Sequence, residues 1–202
     1  MNLVSFTLGK YQSNCYIIYK DFKAMIIDPG YPSEDVYRFL EEKGLKVDVI
    51  YVTHGHSDHI GGVNDLKRRY PSAIVYAPKK DMYWYSRNSK YEIYDDLQVD
   101  VYVENNNHIP FMGVVFQVLE TPGHTYGSTC LYLNKVLFSG DTLFRRSIGR
   151  TDLYMGDYEA ITHSIQQILY KLPDNTVVYP GHGDVTTIKE EKLYNPFIKE
   201  AL

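Results

Sequence analysis

Cysteine is scarce in this chain, with only Cys15 and Cys130 among 202 residues. Each lies in an apolar run, NCYIIY and STCLYL, and reads as a small buried thiol rather than as part of the disulfide framework of a small secreted domain. Charge of one sign is scarce as well. Lys and Arg number 21 against 25 Asp and Glu, for a net charge of -4, which excludes the broad basic surface that follows nucleic acid or an anionic membrane. No window approaches the ~18 uninterrupted apolar residues of a membrane helix. The N-terminal MNLVSFTLGKYQSNCYII lacks a basic segment leading into a long apolar run. A cytoplasmic protein with neither a membrane nor a nucleic-acid partner is therefore expected. Linkers, low-complexity tracts and fixed-period repeats are also missing, so residues 1–202 are expected to form one domain. The 20 tyrosines are scattered and point to no ligand.

What is present alternates between strands and helices. Apolar runs at 3–8, 14–19 and 24–27, closed by Asp28-Pro29-Gly30, read as strands. Ser33 stands where it can cap a helix with Glu34 and Asp35 in its first turn, Val36, Phe39 and Leu40 on one side, and Lys43-Gly44 at its end. Residues 47–52 form the next strand, a His-rich turn follows, and Ile60, Val63 and Leu66 give a helical face ending at Tyr70-Pro71. Further strands are expected at 74–77, 99–103, 114–119, 129–133, 136–138 and 177–179. One amphipathic helix carries Ile161, Ile165, Ile168, Leu169 and Leu172 behind Asp157 and Glu159, and a last helix covers 188–194. Residues 79–96 show no clear period beyond a short helix around Met82 to Tyr85. Strands outnumber helices and helices follow each strand group, which predicts an α/β fold of two sheets face to face with helices outside.

The most informative segment is YVTHGHSDHIGG, residues 51–62. His54 and His56 lie two apart beyond a strand, so an extended backbone points both imidazoles to one side, and Asp58 and His59 follow as the chain turns into a helix. Four ligand-type side chains in six residues exceed what one tetrahedral zinc with an open position takes. The spacing therefore suggests two adjacent metals. Chance clustering would leave three further cases unexplained: Glu120-Thr-Pro-Gly-His124, Ser139-Gly-Asp141 and Tyr179-Pro-Gly-His182 each place a ligand type just past a strand. His163, on the polar side of its helix, and His108, in what reads as a loop, belong to no such pattern.

These motifs resemble the metallo-β-lactamase fold hydrolases, whose signature His-x-His-x-Asp-His is met by His54, His56, Asp58 and His59, with His124, Asp141 and His182 matching the later ligand motifs. The resemblance spans Asp28 to His182. It implies a four-layer αβ/βα sandwich and two divalent metal ions, one on His54, His56 and His124, the other on Asp58, His59 and His182, with Asp141 bridging. Asp28 matches an acidic residue that orients a ligand without being one. Zinc is the expected metal, although nitrogen and oxygen ligands also accept iron or manganese.

TPGHT at 121–125 together with SGDTLFRRSIGRTDL at 139–153 is similar to the glyoxalase II branch, the hydroxyacylglutathione hydrolases, and particularly to its short bacterial members. This implies hydrolysis of a small anionic thioester by attack of a metal-bridging hydroxide, with Asp58 and Asp141 as catalytic residues and Asp58 able to take the proton. Arg150 falls where that branch places a basic residue that contacts the glutathione carboxylate. Arg145, Arg146 and Arg150 all carry planar forks suited to a carboxylate, while pairing of Arg150 with Asp152 is the competing reading. The chain departs from the longer enzymes at Asp184, where they carry tyrosine, and only 20 residues follow His182, so no C-terminal helical substrate domain is expected. Asp141, where β-lactamase members carry cysteine, disfavours a lactam. Other readings are a persulfide dioxygenase holding one iron on His54, His124 and Asp141, a hydrolase of another carbonyl such as a lactone, and a metal-binding scaffold without turnover. The oligomeric state is left open.

Overall fold

The computed structural model describes residues 1–86 and 95–199. The chain begins with an antiparallel meander of β1 (Asn2–Leu8), β2 (Ser13–Lys20) and β3 (Lys23–Ile27). The two residues joining β2 to β3, Asp21 and Phe22, both have positive φ, the backbone of the tight hairpin turn whose twist matches that of its strands. Helix α1 (Glu34–Glu42), capped by the Ser33 hydroxyl, then carries the chain across to β4 (Lys46–Tyr51), parallel to β3. After α2 (Ser57–Ile60) and α3 (Val63–Arg69), β5 (Ile74–Pro78) and β6 (Val101–Val103) complete a six-stranded sheet in the order β1-β2-β3-β4-β5-β6. Between β5 and β6, residues Lys79–Tyr85 form a 3-10 turn. The part of the unreadable stretch at 87–94 lies outside the described residues.

The second sheet repeats this plan. β7 (His108–Phe111), β8 (Val114–Glu120), β9 (Thr129–Leu133) and β10 (Val136–Gly140) run antiparallel, and a helical crossover leads to β13 (Val177–Pro180), parallel to β10. A short hairpin, β11 (Leu143–Phe144) with β12 (Ser147–Ile148), intervenes; β14 (Thr186–Thr187) closes the sheet and leads into α5 (Ile188–Tyr194).

Strand alternation builds the layers. Tyr16, Ile18, Met25, Ile27 and Tyr51 face Phe116, Val118, Leu131 and Phe138 between the sheets, while Ile17, Ile26 and Ile50 turn outward onto Val36, Leu40 and Leu66 of the first helical layer. Cys130, Leu137 and Val178 meet Ile161, Ile165 and Leu169 of the second. The result is the expected four-layer α/β sandwich, and both cysteines are free and buried in it. No helix of the described residues is long and apolar enough to cross a membrane.

Two expectations are corrected. The amphipathic helix at 158–172 is three joined pieces: α4 (Tyr158–His163), a π-helical turn at Ser164–Ile168 and a 3-10 turn at Leu169–Lys171. The wider turn keeps Ile161, Ile165 and Leu169 buried while the Ser164 hydroxyl donates to the Pro122 carbonyl at 2.8 Å. His108 lies in edge strand β7, opposite Gln117, rather than in a loop.

Candidate metal centre

Every residue singled out as a ligand sits at one rim of the sandwich, in a turn past a strand or in the helical turn that follows. His54 and His56 follow β4, Asp58 and His59 occupy the first turn of α2, and His124, Asp141 and His182 follow β8, β10 and β13. Close approach at this rim depends on Gly181: a Cβ there would lie 2.1 Å from Asp141 Oδ1 and 2.8 Å from His59 Cε1.

The side chains form two groups. His54, His56 and His124 converge with His56 Nδ1 2.8 Å from His124 Nε2. Asp58, His59 and His182 converge with His182 Nε2 3.2 Å from Asp58 Oδ2 and 3.3 Å from His59 Nε2. Asp141 stands between them. Its Oδ1 is 3.3 Å from His59 Nε2, and its Oδ2 is 3.4 Å from His124 Nε2 and 3.5 Å from His182 Nε2. Among the described residues, His54 Nε2 and Asp141 Oδ1 are buried without a hydrogen-bond partner, which is costly unless a cation takes the lone pairs. These imidazoles and carboxylates fit one or two divalent cations.

Asp28 also approaches His54 and His59, but its oxygens are engaged. Oδ1 accepts from the Thr53 N–H at 2.7 Å; Oδ2 accepts from the Thr53 hydroxyl at 2.7 Å and faces His59 Nδ1 at 3.0 Å. A carboxylate on the far nitrogen of a ligating imidazole fixes its tautomer and ring orientation. The Arg150 carbonyl does the same for His124, 2.8 Å from its Nδ1.

The electrostatics divide the histidines. Burial drives the pKa of His54 well below the ordinary imidazole value and that of His56 down to about 3. Burial acts the same way on His59, but Asp141 and Asp28 outweigh it and hold this group well above the ordinary value. His182 is likewise raised: burial lowers it, and its bond to Asp58 together with Asp141 more than compensates. Asp141 is held well below the usual carboxylate range, because His59 overcomes the effect of burial.

A cleft of about 420 Å³ opens over the ligands, walled by Tyr11, Trp84, Phe144, Arg150 and Leu153. Of the three arginines in the loop after Asp141, Arg150 reaches this wall, and its guanidinium forks onto Asp152 at 2.9 and 2.8 Å. Arg145 pairs with Asp184 at 3.1 Å. Arg146, at positive φ, turns to α5, with its guanidinium over the Tyr194 ring and its backbone N–H on Glu191. His108 and His163 are exposed and do not line the cleft.

Sequence reasoning missed the residues that hold the ligand turns. The Asn14 amide donates to the carbonyls of Pro180 and Gly183 at 3.0 and 2.9 Å, and the Tyr16 hydroxyl donates to Pro180 at 2.6 Å, so β2 grips the turn that carries His182. Asp81 accepts from Gly55, Thr125 and Gly127, beside His54, His56 and His124. Asn14, in the strand-opening SNCY, had a polar side chain at a place that could have been noticed; Asp81 had no signal.

A two-sheet sandwich with this ligand rim defines a class of metal-dependent enzymes, and the chain belongs to it: residues 8–182 match the Metallo-beta-lactamase superfamily. Among individual proteins, the chain is 35% identical over 208 residues to a hydroxyacylglutathione hydrolase, GloC, from Haemophilus influenzae, covering 98% of both chains. Its structure is similar to that of BLEG-1, a B3 metallo-beta-lactamase, with a TM-score of 0.90 and 37% identity over 98% of this chain and 99% of that one. It also resembles TTHA1623 in a di-iron-bound form, with a TM-score of 0.84 and 35% identity over 96% and 100% of the two chains.

Proposed function

We propose that this protein is a dinuclear metal-dependent hydrolase that cleaves a small anionic thioester, of the hydroxyacylglutathione type. The observation that carries the reading is the Asp141 carboxylate, whose two oxygens face both ligand groups at 3.3 to 3.5 Å. In this reading His54, His56 and His124 hold one ion, Asp58, His59 and His182 hold the other, and Asp141 is shared. When bound, a pair of ions, zinc, iron or manganese, would supply a nucleophile at neutral pH by lowering the pKa of water to ~7, and would offset negative charge on the substrate carbonyl.

The chain's own residues do the rest. Asp28 and the Arg150 carbonyl orient His59 and His124. Asp58 would help hold the second ion, and a carboxylate has two oxygens, one of which could hold a proton during the reaction. Arg150 presents its fork at the cleft wall, where a substrate carboxylate competes with Asp152 for the same donors. Tyr11, Phe144, Leu153 and Trp84 exclude water from one side of the cleft. The similarity to a hydroxyacylglutathione hydrolase supports the thioester, and that to a B3 metallo-beta-lactamase returns lactams, disfavoured on Asp141 alone, to the substrates worth testing.

The deciding experiment compares kcat/KM of wild type and Arg150→Ala on an anionic acyl-glutathione and on the same acyl group carried by an uncharged thiol, with metal content measured in each sample. Two ions per chain and a preference for the anionic thioester of about 10 to 150-fold, the worth of one charge-assisted bond, largely erased in Arg150→Ala, are expected. Equal rates on both thioesters remove the carboxylate anchor. No thioester turnover alongside lactam or lactone hydrolysis moves the substrate class. One iron per chain with oxygen uptake on glutathione persulfide replaces the hydrolase with the dioxygenase.

A further inference from the structure

Asp81 is a buried titratable group beside the three-histidine group that the proposed chemistry does not use. It sits in the 3-10 turn at Lys79–Tyr85, with no exposed surface. Its Oδ2 accepts from the Gly55 N–H at 2.8 Å and the Thr125 hydroxyl at 2.7 Å; its Oδ1 accepts from the Gly127 N–H at 2.7 Å. Gly55 lies between His54 and His56, and Thr125 follows His124. Three donors from two different turns therefore end on one carboxylate. Trp84, from the same 3-10 turn, sets its ring edgewise on His56 with centroids 4.6 Å apart. Residue 127 must be glycine for this contact, because a Cβ would come within 2.5 Å of Asp81 Oδ1.

We propose that Asp81 is a positioning residue for the three-histidine group, tying the turn that carries His54 and His56 to the turn that carries His124 and so setting the metal affinity of that group. The inference rests on the reading of those three histidines as ligands. A packing role alone would be met by any side chain of this shape. A carboxylate differs in one way that matters here: it accepts all three hydrogen bonds at once, from two separate turns. Asp81 acts on one group only, since Asn14 and Tyr16 of β2 hold the turn that carries His182.

The test titrates zinc, buffered by a competing chelator, into metal-free wild-type protein and Asp81→Asn, and follows the ring-nitrogen resonances of each histidine. Asparagine keeps the shape but loses the charge and turns one acceptor into a donor. The expected result is that the free zinc needed to half-fill His54, His56 and His124 rises about 10 to 100-fold, the usual size of a supporting-residue effect on affinity, while that for His59 and His182 changes less than about threefold. Unchanged filling of both groups, or equal weakening of both, overturns the inference. Should Asp81→Asn not fold, Thr125→Val removes one of the three bonds and is held to the same site-selective criterion. Absence of zinc shifts at His54, His56 and His124 in the wild type would instead overturn the ligand assignment itself, a failure distinct from that of Asp81.

Discussion

The two groups of ligand-type side chains share a rim and the Asp141 carboxylate that faces both, yet they are different chemical objects. His54 and His124 are 1% and 3% exposed, with His56 half-buried, while in the other group the side chains of His182 and Asp58 are 27% and 15% exposed around a fully buried His59; we call the first group closed and the second open. Burial keeps His54 and His56 unprotonated near neutrality, so the closed group offers free lone pairs. Carboxylates raise the pKa values of His59 and His182, so protons compete with an incoming cation for the open group at higher pH than for the closed one. One end of a single fold thus makes a site ready for a metal and a neighbouring site whose readiness depends on pH.

The strongest way to break this division is Asp141→Asn, which keeps the shape but removes the charge facing both groups. Activity is expected to fall by more than about 100-fold, beyond the 10 to 100-fold of supporting residues, and elemental analysis should find one ion or fewer per chain instead of two. Asp28→Asn acts most directly on the open group, through His59. It removes the acceptor from His59 Nδ1, and zinc affinity of the open group should fall about 10 to 100-fold with the closed group nearly unchanged; effects of equal size in both groups would exchange the roles of Asp28 and Asp141.

Acidity sharpens the comparison further. For a histidine whose pKa is raised, the proton competes below that pKa, so affinity rises with pH and levels off above it. Between pH 8 and pH 6 the open group should lose up to about tenfold in zinc affinity per pH unit for each of His59 and His182. Protonation of His54 and His56, whose pKa values are lowered, should contribute nothing over that range. Chelator competition at several pH values reads both slopes, and a closed group that loses affinity as steeply as the open one contradicts the division. The smallest effect is expected from Asn14→Ala, which deletes two amide-donated bonds to the His182 turn, each worth about 1 kcal/mol; denaturant unfolding should report a loss of roughly 1–2 kcal/mol, with the weakening of metal affinity confined to the open group.

The gathering of these side chains at one rim was legible because the signal is local: a ligand-type residue soon after an apolar strand, repeated at His54, His124, Asp141 and His182, needs no knowledge of the far side of the fold. The four layers followed from alternating strands and from helices placed after strand groups. Asp81 was not legible, because its partners lie 26, 44 and 46 residues away and a short 3-10 turn has no amphipathic period to mark it. The break at Ser164 escaped for a related reason. The apolar spacing of Ile161, Ile165 and Leu169 is the same on either side of the wider turn, and only the Pro122 carbonyl distinguishes it. Arg145, Arg146 and Arg150 were grouped by proximity in sequence, but the positive φ at Arg146 separates them in space.

The plan shared by the two sheets makes the rim a pseudo-twofold arrangement, although the sequence shows no repeat. In each half an antiparallel meander ends in a strand that pairs in parallel with the strand after a helical crossover, Ile27 opposite Tyr51 and Gly140 opposite Pro180. Asp28 and Asp141 are then counterparts, each one residue past its strand, as are His54 and His182 beyond the partner strands. His59 stands where the halves meet, with Nδ1 3.0 Å from Asp28 and Nε2 3.3 Å from Asp141. A duplicated scaffold of this kind would deliver two equivalent carboxylates, and a single imidazole placed between them makes them unequal: the carboxylate on its Nδ1 side is tied up by Thr53, and the one on its Nε2 side faces both groups of ligand-type side chains.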